Sequence, residues 1–122
     1  MDRFENKIML VTGATSGIGK AVALRAASEG ATVIAVGRNE ERGHGVVEAI
    51  TSANGKAEFM KCDVSDKEQV KELFAKIKES YGRLDVAINN AGIVGASKTV
   101  EELEDEDWSN VIDANLNSCF YC

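Results

Sequence analysis

Short, largely apolar runs alternate with amphipathic stretches along the first two-thirds of the chain. Residues 8–11, Ile-Met-Leu-Val, read as a buried strand. They lead into Thr12-Gly13-Ala14-Thr15-Ser16-Gly17-Ile18-Gly19. Behind that loop, Ile18, Ala21, Val22, Arg25 and Ala26 recur at spacings of three and four, which predicts a helix ended by Gly30. Residues 32–36 are a second, β-branched strand, with Gly37-Arg38-Asn39 as its turn. A helix over 40–53 follows, with Val46, Val47 and Ile50 as its apolar stripe and Asn54-Gly55 as its stop. Residues 58–62 form a third strand. Ser65 and Glu68 have the spacing of a capping box for the next helix, whose apolar face is Val70, Leu73, Phe74 and Ile77 and whose end is Tyr81-Gly82. Residues 84–88 are a fourth strand, followed by Asn89-Asn90-Ala91-Gly92.

The order is β-α-β-α-β-α-β with short connections. Strands with little polar alternation imply that both sheet faces are covered. This predicts a parallel α/β sheet with right-handed crossovers. Residues 93–100 read as a loop, and Trp108, Val111, Ile112, Leu116 and Phe120 as the apolar stripe of a last helix, a core or subunit-interface surface. Six carboxylates occupy the seven positions 101–107. They suit a solvated helix start, because acids are favourable near a helix N-terminus; their spacing fixes no ligand geometry for a divalent cation.

Composition narrows the functional classes. The 122 residues are 44% hydrophobic and 28% charged, the balance of a globular domain rather than a disordered tail. The net charge of −6 is concentrated in the second half, so no basic stripe exists for nucleic acid. No apolar run approaches the roughly 20 residues of a membrane span, and the N-terminus has no signal-like apolar stretch. Three cysteines, Cys62, Cys119 and Cys122, are too few and odd for a disulfide scaffold and suit the cytoplasm. Cys119 and Cys122 have C-x-x-C spacing but lie late in a helix, where neither a redox pair nor a zinc site is expected. No metal site is predicted.

The chemistry lies in the loop after the first strand. Gly13, Gly17 and Gly19 have the spacing G-x-x-x-G-x-G between a strand and a helix. Gly13 permits a tight turn, Gly17 clears the approach of a pyrophosphate, and Gly19 lets the helix sit close to the sheet. Amides from Ser16 to Ile18 then face the anion at a helix N-terminus, and Ser16 adds a hydroxyl. No G-K-[ST] follows, so this is not a triphosphate loop. At the end of the second strand, where an acid would bind a ribose 2′-hydroxyl, stand Gly37 and Arg38. An arginine there suits a 2′-phosphate, which favours NADP over NAD, unless it pairs with Glu40 or Glu41 instead.

Residues 12–19 resemble the cofactor motif of the short-chain dehydrogenase/reductase family, and Asn89-Asn90-Ala91-Gly92 resembles its second motif. Asp63 and Asn115 match two further family positions in order. The resemblance implies a Rossmann-like parallel sheet with helices on both faces, strand order 3-2-1-4, truncated after about four strands. It implies one partial dinucleotide-binding domain over residues 1–122, ending within the helix after strand 4. Gly13, Ser16, Gly17, Ile18 and Gly19 would wrap the pyrophosphate. Asp63 would accept from the adenine amino group, with the Val64 backbone beside the ring; alternatively Asp63 only starts a turn. Asn90 would lie near the nicotinamide ribose with Ala91, and Gly92 would allow the cofactor close; alternatively this run is only a turn. Asn89 would hold the fourth strand. Asn115 would be the catalytic-tetrad asparagine that holds a water of the proton relay, or a polar residue that bends its helix.

The family's hydride transfer uses a tyrosine, a lysine and a serine that follow a fifth strand. Neither Tyr81 nor Tyr121 has a lysine four residues on. Two functions are therefore expected: the cofactor-binding half of an NAD(P)-dependent oxidoreductase that interconverts an alcohol and a ketone or aldehyde, or a dinucleotide-binding or assembly fragment without catalysis. The 122 residues alone are expected to be inactive. Family members assemble as homo-oligomers. Without a fifth strand, Val86, Ala87 and Ile88 would form an apolar edge.

Overall fold

A computed structural model describes residues 2–15, 17–91 and 104–112. The elements are β1 (Ile8–Thr12), α1 (Gly17–Ser28), β2 (Thr32–Gly37), α2 (Glu40–Ser52), β3 (Lys56–Lys61), α3 (Lys67–Tyr81), β4 (Val86–Ile88) and α4 (Asp105–Ile112). The strands form one sheet in the order β3-β2-β1-β4, parallel at every described pairing.

Period-two alternation divides the core. Met9, Val11, Val33 and Ala35 face one side, with Ala23, Ala26 and Ala27 of α1 and Val46 and Ile50 of α2. Leu10, Ile34, Val36 and Met60 face the other, with Val70, Leu73 and Ile77 of α3. The chain winds outward from β1 to β3 and then returns past β1 to β4. With a constant crossover hand, that reversal puts α3 on the opposite face from α1 and α2. It also makes the gap between β1 and β4 the topological switch point, where α/β sheets bind ligands at the carboxyl ends of their strands.

Several local details differ from the sequence reading. The buried face of α1 is Gly19, Ala23, Ala26 and Ala27, while Ile18 and Ala21 are exposed. Small side chains bring this helix close to the sheet, and close approach outweighs the larger apolar residue. The cap of α3 is Asp66, whose carboxylate accepts from the amides of Glu68 and Gln69. Ser65 does not cap it, because its hydroxyl donates to Asp63 at 2.6 Å. β3 starts at Lys56 because its ladder with β2 begins at Thr32↔Lys56, and it ends at Lys61. β4 is limited to the three residues that pair with β1, and Ala87 on it is exposed. Trp108 is 68% exposed, so it is not part of the core. The predicted loop 93–100, Leu116, Phe120 and the terminal cysteines lie outside the described residues.

The floor of the sheet, at the strand N-termini, is tied by charge. Arg3 donates to both carboxylate oxygens of the buried Glu29, each at 2.7 Å, and Arg25 lies 3.4 Å from the same group. The bond from Arg3 holds the Glu29 carboxyl below the usual carboxylate range. Asp85 accepts from the Ile8 amide at 2.8 Å and from Arg83 at 3.1 Å. The Ile8 amide, more than the nearby arginine, keeps Asp85 below its ordinary value.

Candidate functional site: the carboxyl ends of the strands

The turn after β1 forms because Gly13 adopts φ +63°, a left-handed conformation that favours glycine. A side chain at Gly13 would also meet the Ala91 Cα at 3.0 Å. At Gly19 the approach is closer. A Cβ there would stand 2.0 Å from the Gly13 carbonyl oxygen and 2.6 Å from Asn90 Nδ2. The first turn of α1 thus rests on the backbone of the β1 turn, and the Asn90 amide donates to the same Gly13 carbonyl at 3.4 Å.

Gly17 is the opposite case. It also has positive φ, +55°, yet a Cβ built on it meets nothing within 4 Å. Beside it, Ile18 is 75% exposed at the helix N-terminus. The absent side chain leaves open space in front of the first α1 amides, where an anion is favoured.

Thr12 joins the two motifs, a role that sequence reasoning missed. Its buried hydroxyl accepts the amides of Asn90 at 3.0 Å and Ala91 at 3.1 Å, and donates to the Ile88 carbonyl at 3.4 Å. The available signal was a hydroxyl ending an otherwise apolar strand. Asn89 is exposed, and the expected tie on the fourth strand is made by Thr12 and Asn90.

The end of β2 lies under the loop, where a Cβ on Gly37 would meet Thr15 Cγ2 at 2.8 Å. Arg38 is exposed and forms no ion pair among the described residues; the alternative pairing with Glu40 or Glu41 is not made. Asn39 caps α2 by accepting from the Arg42 amide at 3.0 Å, which leads the chain away behind Arg38.

After β3, Asp63 Oδ1 accepts from the Ser65 amide at 3.0 Å and from its hydroxyl. The Asp63 amide donates to Gln69 at 2.8 Å. Asp63 therefore does start the turn, and its Oδ2 has no hydrogen bond among the described residues. Val64 turns its side chain into the α3-side core. Ser16, Gly92, Asn115 and Tyr121 lie outside the described residues. Tyr81 stands at the far end of α3, where its hydroxyl donates to Glu58 at 2.6 Å; burial, reinforced by that carboxylate, pushes the phenol up to about 12. It takes no part in the crevice. Among the described residues no cluster of His, Cys, Asp and Glu could hold a metal ion, and no helix is long and apolar enough to cross a membrane.

Gly13, Gly17, Ile18, Gly19, Arg38, Asp63, Asn90 and Ala91 thus line the carboxyl ends of four adjacent strands. Backbone amides and an arginine without an ion pair among the described residues suit an extended, anionic ligand.

A family profile described as short chain dehydrogenase matches residues 7–122. The chain is 77% identical over its whole length to a 3beta-hydroxysteroid dehydrogenase of Mediterraneibacter gnavus, and 42% identical over 120 residues to a cyclohexanol dehydrogenase of an Acinetobacter species. It is 43% identical over 118 residues to a 3-oxoacyl-acyl-carrier-protein reductase of Thermotoga maritima. It spans 44%, 48% and 48% of these three relatives, about half their length. Among solved structures, a metagenomic short-chain oxidoreductase in complex with NADP superposes with a TM-score of 0.94 at 30% identity, over 97% of this chain and 53% of that one. A Mycobacterium smegmatis short chain dehydrogenase superposes at 0.90 with 35% identity, over 99% of this chain and 51% of that one. The glycine cradle at the switch point and the profile match agree: the chain belongs to the short-chain dehydrogenase family.

Proposed function

We propose that residues 1–122 are a partial Rossmann domain that binds NAD(P) without turning it over. The observation that carries this reading is the cradle at the switch point, closed at Gly13 and Gly19 and open at Gly17. Gly13, Ser16, Gly17, Ile18 and Gly19 hold the pyrophosphate. Asp63 receives the adenine amino group on Oδ2, with Val64 beside the ring. Asn90, Ala91 and Gly92 border the nicotinamide ribose. Arg38, which has no ion pair among the described residues, takes a 2′-phosphate, so NADP is preferred to NAD; the structure in complex with NADP among the neighbours is consistent with this.

When bound, the nicotinamide supplies hydride transfer to or from a carbonyl carbon. The residues in hand bind and orient it. They include no Tyr-x-x-x-Lys segment, so the non-catalytic reading fits these 122 residues better than that of an active hydride-transfer enzyme. In a longer protein carrying that segment, Asn115 would hold a water of the proton relay and the reaction would interconvert an alcohol and a ketone or aldehyde. The 77% identity to a 3beta-hydroxysteroid dehydrogenase supports a hydroxysteroid as that protein's substrate. A cytoplasmic homo-oligomer is the corresponding setting.

Fluorescence titration of the 122-residue chain with NADPH and with NADH tests the reading. Saturable binding, tighter for NADPH, is expected. Absence of binding to either by the folded chain, or turnover of a hydroxysteroid by it, would overturn it.

A further inference from the structure

We propose that Thr15 takes part in the choice of coenzyme by exclusion: its methyl occupies the space that any side chain at position 37 needs, and so keeps an acid away from the ribose 2′-hydroxyl. The inference deepens the cofactor reading and rests on it. An acid that grips a 2′-hydroxyl stands at the end of the second strand, and this chain has Gly37 there. The space above Gly37 is already filled. A Cβ built on it would lie 2.8 Å from Thr15 Cγ2, 3.5 Å from Oγ1 and 3.8 Å from Cβ. The last two are ordinary contacts, so the methyl alone is the obstacle. At Gly17 the same added carbon would meet nothing within 4 Å, so the crowding belongs to the β2 end of the loop.

Neither side of this contact can step aside cheaply. The Gly37 carbonyl accepts the Cys62 amide at 3.0 Å, and the Val36 carbonyl before it accepts the Ala14 amide at 3.2 Å. Gly37 is also in register with Lys61 of β3. The backbone at 37 is thus held by β3 on one side and by the β1 turn on the other. Thr15 is half-buried, and branching at Cβ stiffens it about χ1. It follows Ala14, which is bonded to β2, and precedes the opening at Gly17. Pushing Thr15 away therefore disturbs the approach to the phosphate cradle. An aspartate at 37 alone would meet the methyl before it reached a ribose. Thr15 and Gly37 act as one determinant, and a change towards NAD requires both.

NADH and NADPH titrations of the 122-residue chain, arranged as a double-mutant cycle, test this. G37D alone should weaken both nucleotides about tenfold, because the loop is displaced. T15A/G37D should bind NADH about tenfold more tightly than G37D does, while NADPH stays weak beside the new carboxylate. T15S in the G37D background should rescue NADH as T15A does. T15V, which keeps a methyl, should not. T15A alone should leave the ratio of the two affinities within about twofold of the parent, which separates exclusion from a general structural role. NADH binding by G37D within about twofold of T15A/G37D, or equal rescue by T15V, would overturn the proposal. If G37D does not fold, T15A/G37D must fold and bind NADH more tightly than NADPH; a double variant that stays unfolded or still prefers NADPH is equally decisive against it. A parent chain that binds neither nucleotide removes the cofactor reading and this proposal together. A parent that binds NADPH without coupling between positions 15 and 37 removes the proposal alone.

Discussion

The two ends of the sheet are built by different means. At the carboxyl ends of the strands, backbone approaches backbone: Gly19 over the Gly13 carbonyl, Asn90 on the same carbonyl, and one threonine hydroxyl collecting two amides. At the amino ends, charged side chains close the structure: Arg3 on Glu29, and Arg83 and Ile8 on Asp85. The difference concerns what is left over. Ion pairs at the floor use up their charges. The roof is secured by small groups, so α1 amides, Arg38 and one oxygen of Asp63 are left without a side-chain partner among the described residues. A binding surface is therefore obtained without leaving its supports loose.

The strongest way to break this contrast is to add one carbon at the roof. In G19A the methyl would meet backbone rather than a flexible side chain, so α1 must move. Overpacking of this kind costs about 3 kcal/mol, at the upper end of its usual range. A urea midpoint should show the loss, and NADPH binding should disappear with it. T12V is next. It keeps the shape and removes the acceptor of two amides, at a cost of about 2 kcal/mol. A measured loss below about 0.5 kcal/mol would mean that water replaces the hydroxyl and that the roof does not depend on it.

R38A tests the surplus charge rather than the support. NADPH affinity should fall about tenfold, or ~1.4 kcal/mol, with NADH affinity and the urea midpoint unchanged. An equal loss for both nucleotides would remove the 2′-phosphate assignment. The smallest effect belongs to the floor, where Arg3 and Arg83 remain more than half exposed. Glu29 and Asp85 both have lowered folded values. Their contribution is complete above the unfolded carboxylate range, about pH 4, and is lost as pH falls through the lower folded values. Urea midpoints taken from pH 6 to pH 2.5 should show this decline, and E29Q should flatten part of it.

The roof was the more legible end. Glycine spacing, apolar strands and a stop after each helix are local signals, and they located Gly13, Gly17, Gly19 and Arg38 at the strand ends; Asp63 and Asn90 were singled out by the family resemblance, and they too stand just after strands. The α1 face was misread because periodicity weighs Ile18 above alanine, whereas close packing on a sheet selects the alanines. The α3 cap was misplaced because Ser65 and Asp66 are both good caps, and the choice depends on Asp63 engaging the serine first. The floor was not read at all. Arg3 finds Glu29 across 26 positions and Ile8 finds Asp85 across 77, and no local pattern announces either pair.

That last separation has a consequence for synthesis. β1 is an inner strand of the described sheet, yet it leaves the ribosome before the other three described strands. β2 can pair with it early, but β4 follows 77 residues later, measured from Ile8 to Asp85. At about 5–20 residues per second, the β4-facing side of β1 waits roughly 4–15 s for its partner. Throughout that interval the nascent chain displays one of its most apolar segments unpaired, and its yield in a cell depends on what covers that edge before translation reaches Asp85.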